Sequence, residues 1–283
     1  SSGIGRRIAE VLAEQGFYVY AGARKPEDIE SLSKLPYVSG IRLDVTRQGE
    51  IDAAVRKIRA SGRGLYGLVN NAGVFLYDPL IETEERDLQF IFDVNVFGPY
   101  RVTKAFAPLI IESKGRITTT GSIASTRAGR LFGPYSMSKA AVVSFTEALA
   151  SEMSKFDVSV SVVQPGNFRS DIMRNMALRE SGRRHASPPS LWQQEIKRFS
   201  RFTQPDRSHH ADPRPVAETV ADFMTTTEPK LRYMVTPNQQ EANMTIRSAL
   251  KRSAELNSQQ TFEMSRDELV AVLDAILVEQ GLK

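Results

Sequence analysis

Arg116-Ile117-Thr118-Thr119-Thr120 reads as a strand, and Val158-Ser159-Val160-Ser161-Val162-Val163 reads as another. Between them stands Tyr135-Ser136-Met137-Ser138-Lys139, followed by Ala140-Ala141-Val142-Val143-Ser144-Phe145-Thr146-Glu147-Ala148-Leu149-Ala150, a run of helix-forming composition. Strand, helix and strand in succession imply a parallel pair with the helix crossing over it. On that helix Tyr135 and Lys139 are four residues apart and share a face, a phenol beside an ammonium. A free tyrosine titrates near about 10, and a neighbouring cation lowers that value by favouring phenolate. Ser122, just past the first strand, could hold a substrate oxygen while Tyr135 moves its proton. Taken alone, the five residues also fit a tyrosine and a lysine on an ordinary surface helix.

Outward from this unit the same alternation recurs. Ser1-Ser2-Gly3-Ile4-Gly5 leads into a helix over 2–15 with Ile8, Val11 and Leu12 at helical spacing, closed by Gly16. Residues 17–21 and 41–45 read as strands, and a helix carrying Ile51, Val55 and Ile58 follows. A strand over 65–69 ends in Asn70-Asn71-Ala72-Gly73, and a long helical pattern over 84–111 is interrupted at Gly98-Pro99. The fold class is therefore α/β, a doubly wound parallel sheet of Rossmann type with helices on both faces. Regularity stops at Pro165-Gly166. Residues 167–215 are polar and without a clean period, so they read as a substrate-loop insertion or as a solvated loop. A helix over 216–224, a strand over 231–235 and helical patterns over 241–256 and 267–282 complete a single domain. Its helical C-terminal tail spans about 239–283.

Composition narrows the class. The 283 residues are 41% hydrophobic and 25% charged, ordinary for a soluble globular chain. No apolar run approaches the roughly 20 residues needed to span a bilayer. Thirty-seven basic and 33 acidic residues leave a net charge of +4, too small an excess to argue for nucleic acid. Cysteine is absent, which excludes disulfides and thiolate zinc sites and fits a reducing, cytoplasmic compartment. No metal site is expected.

Glycines that open a helix let backbone approach a ligand, and the helix N-terminus favours phosphate. Gly3-Ile4-Gly5 has that character, with Ser1 and Ser2 as further donors. Asn70-Asn71-Ala72-Gly73 ends a strand at the same sheet edge, where it could line a cofactor crevice or form a plain turn.

These residues, in this order, resemble the short-chain dehydrogenase/reductase family over about residues 1–170. Ser1 to Gly5 look like the second half of its T-G-x-x-x-G-x-G nucleotide loop. Asn71, Ala72 and Gly73, with Asn70, match its N-N-A-G element. Asn95 matches its helix asparagine that holds a proton-relay water, and Ser122, Tyr135 and Lys139 match its serine, tyrosine and lysine. Pro165-Gly166 with Ser170 looks like its P-G-x-x-x-T segment, whose last hydroxyl contacts the nicotinamide amide. The resemblance implies hydride exchange between nicotinamide and a carbonyl or alcohol carbon. It makes Tyr135 the acid or base, Ser122 the oxygen-stabilising hydroxyl and Lys139 the group that lowers the Tyr135 pKa and holds the ribose.

Cofactor choice turns on Ala21-Gly22-Ala23-Arg24-Lys25. Ala23 stands where NAD-preferring relatives carry aspartate, and Arg24 offers a planar cation to a 2′-phosphate, so NADP(H) is expected over NAD. Asp44 matches a residue near the adenine. The family's first strand and the Thr-Gly that begins its loop do not precede Ser1, so an N-terminally truncated chain is expected, with the helix over 2–15 facing an unsupplied strand. The region beyond Pro165 resembles the 17β-hydroxysteroid and retinol dehydrogenase-like branch, which suggests steroid, retinoid or lipid-like small-molecule substrates. Family members pair through helices corresponding to 84–111 and 134–155, so a homo-oligomer is expected, with Phe90, Phe97, Val143 and Phe145 as surplus apolar residues. The rival reading is a non-enzymatic dinucleotide-binding regulator or scaffold.

Overall fold

The structure is a computed structural model that describes residues 3–181, 190–200 and 210–282. Two compact units make up the chain, Ser1–Ala242 and Asn243–Lys283. In the first, α1 (Gly3–Glu14), β1 (Val19–Ala23), α2 (Pro26–Ser33), β2 (Val38–Arg42), α3 (Gln48–Ala60) and β3 (Gly67–Asn70) follow in order. Then come α4 (Glu85–Phe92), α5 (Gly98–Glu112), β4 (Arg116–Thr120), α6 (Gly133–Met153) and β5 (Ser159–Pro165). Next are α7 (Ile172–Ser181), α8 (Gln193–Ser200), α9 (Arg214–Thr225) and β6 (Arg232–Val235). α10 (Gln239–Asn257) runs across the division, and α11 (Arg266–Glu279) belongs to the second unit.

Every described strand pairing is parallel. β3, β4, β5 and β6 form one sheet in that order, and β1 and β2 form another. Helices cover both faces. Ile51, Ile58, Val102, Phe106 and Ile110 from α3 and α5 pack with Ile117 and Val160 of the sheet. On the opposite face Ile8, Val11, Val216, Val220 and Phe223 from α1 and α9 pack with Val163. Val160 and Val163 differ in parity along β5, so the strand is apolar on both sides, as a strand between two helix layers must be. Each such buried side chain contributes roughly 1.5–3 kcal/mol.

Several boundaries depart from the sequence reading. The first two strands lie at Val19–Ala23 and Val38–Arg42 rather than at 17–21 and 41–45. Asp44 is the reason for the second shift. Its Oδ1 accepts from the Thr46 N–H at 3.0 Å and the Thr46 hydroxyl at 2.7 Å, a local turn that ends the strand before the apolar run does. α2 is not announced by apolar spacing, and its start is marked instead by Pro26 in its first turn with Glu27 and Asp28. The break in the 84–111 helix is a π-helical segment over Asp93–Phe97, not Gly98-Pro99. Pro99 sits in the first turn of α5, where its missing N–H costs nothing. The apolar face of α1 packs with Val216, Ala217 and Val220 of α9.

Candidate active site

The site gathers beyond the C-terminal ends of β3, β4 and β5, where open α/β sheets bind ligands. Tyr135 and Lys139 project from the first two turns of α6. Ser122 lies two residues past β4, where its Oγ accepts from the Ala124 N–H at 3.1 Å and caps a short 3₁₀ turn. The same hydroxyl stands close enough to the Tyr135 phenol to favour its ionised form. Lys139 is 4% exposed, and its Nζ donates to the Thr120 carbonyl at 2.8 Å while lying 5.8 Å from the Tyr135 ring centroid.

Asn95 is the hub beneath these groups. From the π segment its Oδ1 accepts from the Val74 N–H at 2.7 Å, and its Nδ2 donates to the Val74 carbonyl and to Ser138 Oγ, both at 2.9 Å. Ser138 in turn donates to the Tyr135 carbonyl at 2.8 Å. One buried amide thus ties the segment after β3 to the first turn of α6. An extra residue in a helix re-aims the side chains around it, which is a common use of π segments at functional sites. Gln164 was missed from the sequence. Buried on β5, it donates to Ser125 Oγ at 2.6 Å and the Ser122 carbonyl at 3.4 Å, fixing the turn that carries Ser122. No motif marks it; its position one residue before Pro165 was the available signal.

The electrostatics correct one expectation. Burial pushes the Tyr135 phenol up to about 12, against the lowering effect of the Ser122 hydroxyl. Burial also brings the Lys139 ammonium down to about 8, because a desolvated cation favours its neutral form.

The residues expected at the cofactor converge in part. Gly3 has φ +58°, and a Cβ there would stand 2.9 Å from Ser170 Cβ. A Cβ on Gly5 would overlap Asn71 Nδ2, and one on Gly73 would approach Asn95 Oδ1 at 3.5 Å and Lys139 Nζ at 3.7 Å. The start of α1, the segment after β3 through Ala72, and the segment after β5 therefore meet, and at Gly3 the positive φ and the close approach of Ser170 call for glycine. Asn71 Oδ1 also accepts from the Thr120 hydroxyl at 3.3 Å. Ile4 turns away and packs on the α1–α9 core. Pro165 is buried at the end of β5, and Gly166 donates its N–H to the Val235 carbonyl at 2.7 Å. Arg24 is exposed just past β1, with its carbonyl bonded by Arg42. Burial would raise the Asp44 carboxyl, but Thr46 and the charges of Arg24 and Arg47 outweigh it and hold the group below its usual range. Ser1 and Ser2 lie outside the described residues.

Over Tyr135 stands an aromatic wall that the sequence did not disclose. Phe75 lies 4.7 Å from the Tyr135 ring and 5.6 Å from Phe132, and Tyr77 stacks on Phe199 of α8 at 3.5 Å. Trp192, Ile196 and Phe199 join the same cluster with Met173 and Met176 of α7. Burial, with the Glu195 charge adding to it, raises the Tyr77 phenol to about 12. Part of the 167–215 insertion is thus helical and closes over the phenol; 182–189 and 201–209 lie outside the described residues. α8 is tethered by Arg130 Nη1 to Glu195 Oε1 at 3.3 Å and by the Leu191 N–H to Glu82 Oε1 at 2.8 Å.

The sheet is parallel, and a serine, a tyrosine and a lysine stand together beyond its C-terminal edge. The family model described as short chain dehydrogenase matches residues 1–181. "Short-chain dehydrogenase PC-15" of Penicillium crustosum is 40% identical over 165 residues, 58% of this chain and 61% of that protein. The match thus spans about three fifths of that relative's length. The mitochondrial D-beta-hydroxybutyrate dehydrogenase of Bos taurus is 32% identical over 255 residues, covering 82% of this chain and 73% of the relative. A solved short-chain dehydrogenase from Streptomyces avermitilis superposes with a TM-score of 0.74 at 27% identity, covering 90% of this chain and 91% of that one. The chain belongs to the short-chain dehydrogenase family.

Proposed function

We propose that the protein interconverts a ketone or aldehyde and an alcohol on an apolar substrate, of steroid, retinoid or lipid-like kind, with NADP(H). The observation that carries this reading is the Ser122–Tyr135 hydroxyl pair set under the Phe75, Tyr77, Phe132 and Phe199 wall. The close-packed glycine cradle fits a dinucleotide: Gly3, Gly5 and Gly73 bring backbone up to it, with Asn71, Ala72, Pro165, Gly166 and Ser170 beside them. When bound, the cofactor supplies or takes up the hydride. Ser122 and Tyr135 bond the substrate oxygen, and Tyr135 donates its proton as that oxygen gains charge. A phenol kept protonated by burial suits the reductive direction. Lys139 provides the nearby cation and holds the ribose. Asn95 keeps Val74 and Ser138 in place so that Tyr135 and Lys139 stay aligned, and could anchor the relay. The wall excludes water from the reacting carbon. Turnover of NADPH with a panel of ketones tests the reading; absence of turnover with every apolar ketone and aldehyde overturns it in favour of a binding protein.

Arg24 and Ala23 support NADP(H) over NAD. In the Ala23→Asp/Arg24→Leu variant, kcat/KM for NADPH over NADH is expected to fall by about 10-fold or more, since a charge-assisted bond is worth about 1.5–3 kcal/mol. An unmoved ratio removes Arg24 as the phosphate contact. Phe199→Ala is expected to raise KM for a bulky apolar ketone by about 10-fold, an aromatic contact contributing about 0.5–1.5 kcal/mol beyond its area. A small ketone serves as the control, and equal effects on both count against the wall as a substrate surface. Self-association through α4, α5 and α6 fits the exposed Phe97, Tyr100 and Met137 on them; Phe90, Val143 and Phe145 are only partly exposed. Light scattering measures it.

A further inference from the structure

α11 carries apolar residues around much of its circumference. Val270, Val272, Leu273, Ile276 and Val278 are all exposed, and the helix buries no residue. A helix of that composition ordinarily lies inside a core. Its start is nonetheless sharply specified: Ser265 Oγ accepts from the Glu268 N–H at 3.3 Å while the Glu268 carboxylate accepts from the Ser265 N–H at 2.7 Å, a capping box. Asn257 closes the preceding turn, donating to the Met264 carbonyl and accepting from the Met264 N–H, both at 2.9 Å. α10 adds exposed Met244, Ile246, Leu250 and Leu256. A unit of about 40 residues seldom supplies its own core and relies on disulfides, a metal or association. The chain has no cysteine. Among the described residues no group of His, Cys, Asp and Glu could hold a metal. Association remains.

Charge indicates the partner. From Asn243 onward α10 carries Arg247, Lys251 and Arg252 against one acid, Glu255, whereas α11 carries Asp267, Glu268, Asp274 and Glu279 against Arg266. An acidic helix is repelled by anionic lipid, and helices that lie on membranes are rich in Lys and Arg. A second copy of the chain satisfies both needs. A two-fold axis lays each acidic apolar helix on the basic, partly apolar helix of the other copy, and the contact is made twice. We infer that the Asn243–Lys283 unit is a self-association arm, in which α11 of one copy packs on α10 of another to form a four-helix bundle. The inference concerns helices other than α4, α5 and α6 and does not depend on the catalytic reading.

Sedimentation velocity of the full chain tests it with two charge-reversed variants. Arg247→Glu/Lys251→Glu/Arg252→Glu and Asp267→Lys/Asp274→Lys/Glu279→Lys should each run at about half the parent mass. An equimolar mixture of the two should recover the parent mass, because each then complements the other in trans. Leu273→Glu/Ile276→Glu should stay at half mass in any mixture. The melting transition of the Ser1–Ala242 unit should stay within about 2 °C of the parent in all three, while the helices of the arm lose stability with the partner that supports them. A monomeric parent, a charge-reversed variant of undiminished mass, or a mixture that does not recover it overturns the inference. So does flotation of the parent with phosphatidylserine vesicles.

Discussion

Tyr135→Phe is expected to lower kcat by about 10³-fold, within the roughly 10²–10⁴ that a positioned acid or base contributes. The substitution removes one oxygen and little else. The Phe ring keeps its place 4.7 Å from Phe75, and the carbonyl that Ser138 bonds is unchanged. What is lost is the proton and the hydroxyl partner of Ser122. Binding of NADPH, followed by its fluorescence, should change less than about 2-fold, since the glycine cradle is formed by other residues. A drop in kcat with KM nearly unchanged marks an interaction made in the transition state. Turnover within 10-fold of the parent would sink the assignment of Tyr135 as the proton donor.

The parts of the site legible in the sequence are those whose chemistry is local. Tyr135 and Lys139 are one helical turn apart, so their pairing follows from the period of the helix alone. Gly3 stands out because its positive φ and its closeness to the Ser170 backbone suit glycine, and Gly5 because it lies against the Asn71 side chain. The wall over Tyr135 is different in kind. Phe75, Phe132 and Phe199 come from three separate segments, and their meeting depends on the path of residues 167–215, where no period announced α7 or α8. Asn95 was legible as a residue but not as a π segment, because an i→i+5 turn leaves the apolar spacing around it nearly helical. The fold itself was readable from alternation, since strands buried on both faces need helices on both faces. The reading failed at strand ends, where a single Asx turn at Asp44 outweighed the apolar residues beyond it.

Lys139→Met is expected to abolish turnover and, at the same time, to leave the protein as stable as before or more so at pH 7. Burial brings the Lys139 ammonium from 10.5 down to about 8, so at neutral pH the native state holds a charge its surroundings disfavour. At about 1.4 kcal/mol per pH unit, that penalty is of order 3 kcal/mol. Against it stands the bond from Nζ to the Thr120 carbonyl, whose loss costs about 1–3 kcal/mol in a buried place. The two nearly cancel, and methionine fills the same space with an uncharged chain. The pH dependence separates them. Between about 8 and 10.5 the unfolded chain binds more protons at this position than the folded one, so the parent should gain stability as pH rises through that window. The variant lacks the group and should not gain. Its advantage over the parent should therefore be largest below pH 8 and shrink by about 3 kcal/mol by pH 10.5. Urea unfolding of both proteins at pH 7, 8, 9 and 10 measures this, and other titrating groups cancel in the difference. A constant difference across the series would mean that Lys139 is not titrating in the folded protein as its burial requires. A variant more stable than the parent yet without turnover would show that this cation is kept for its chemistry beside Tyr135, since the fold does better without it.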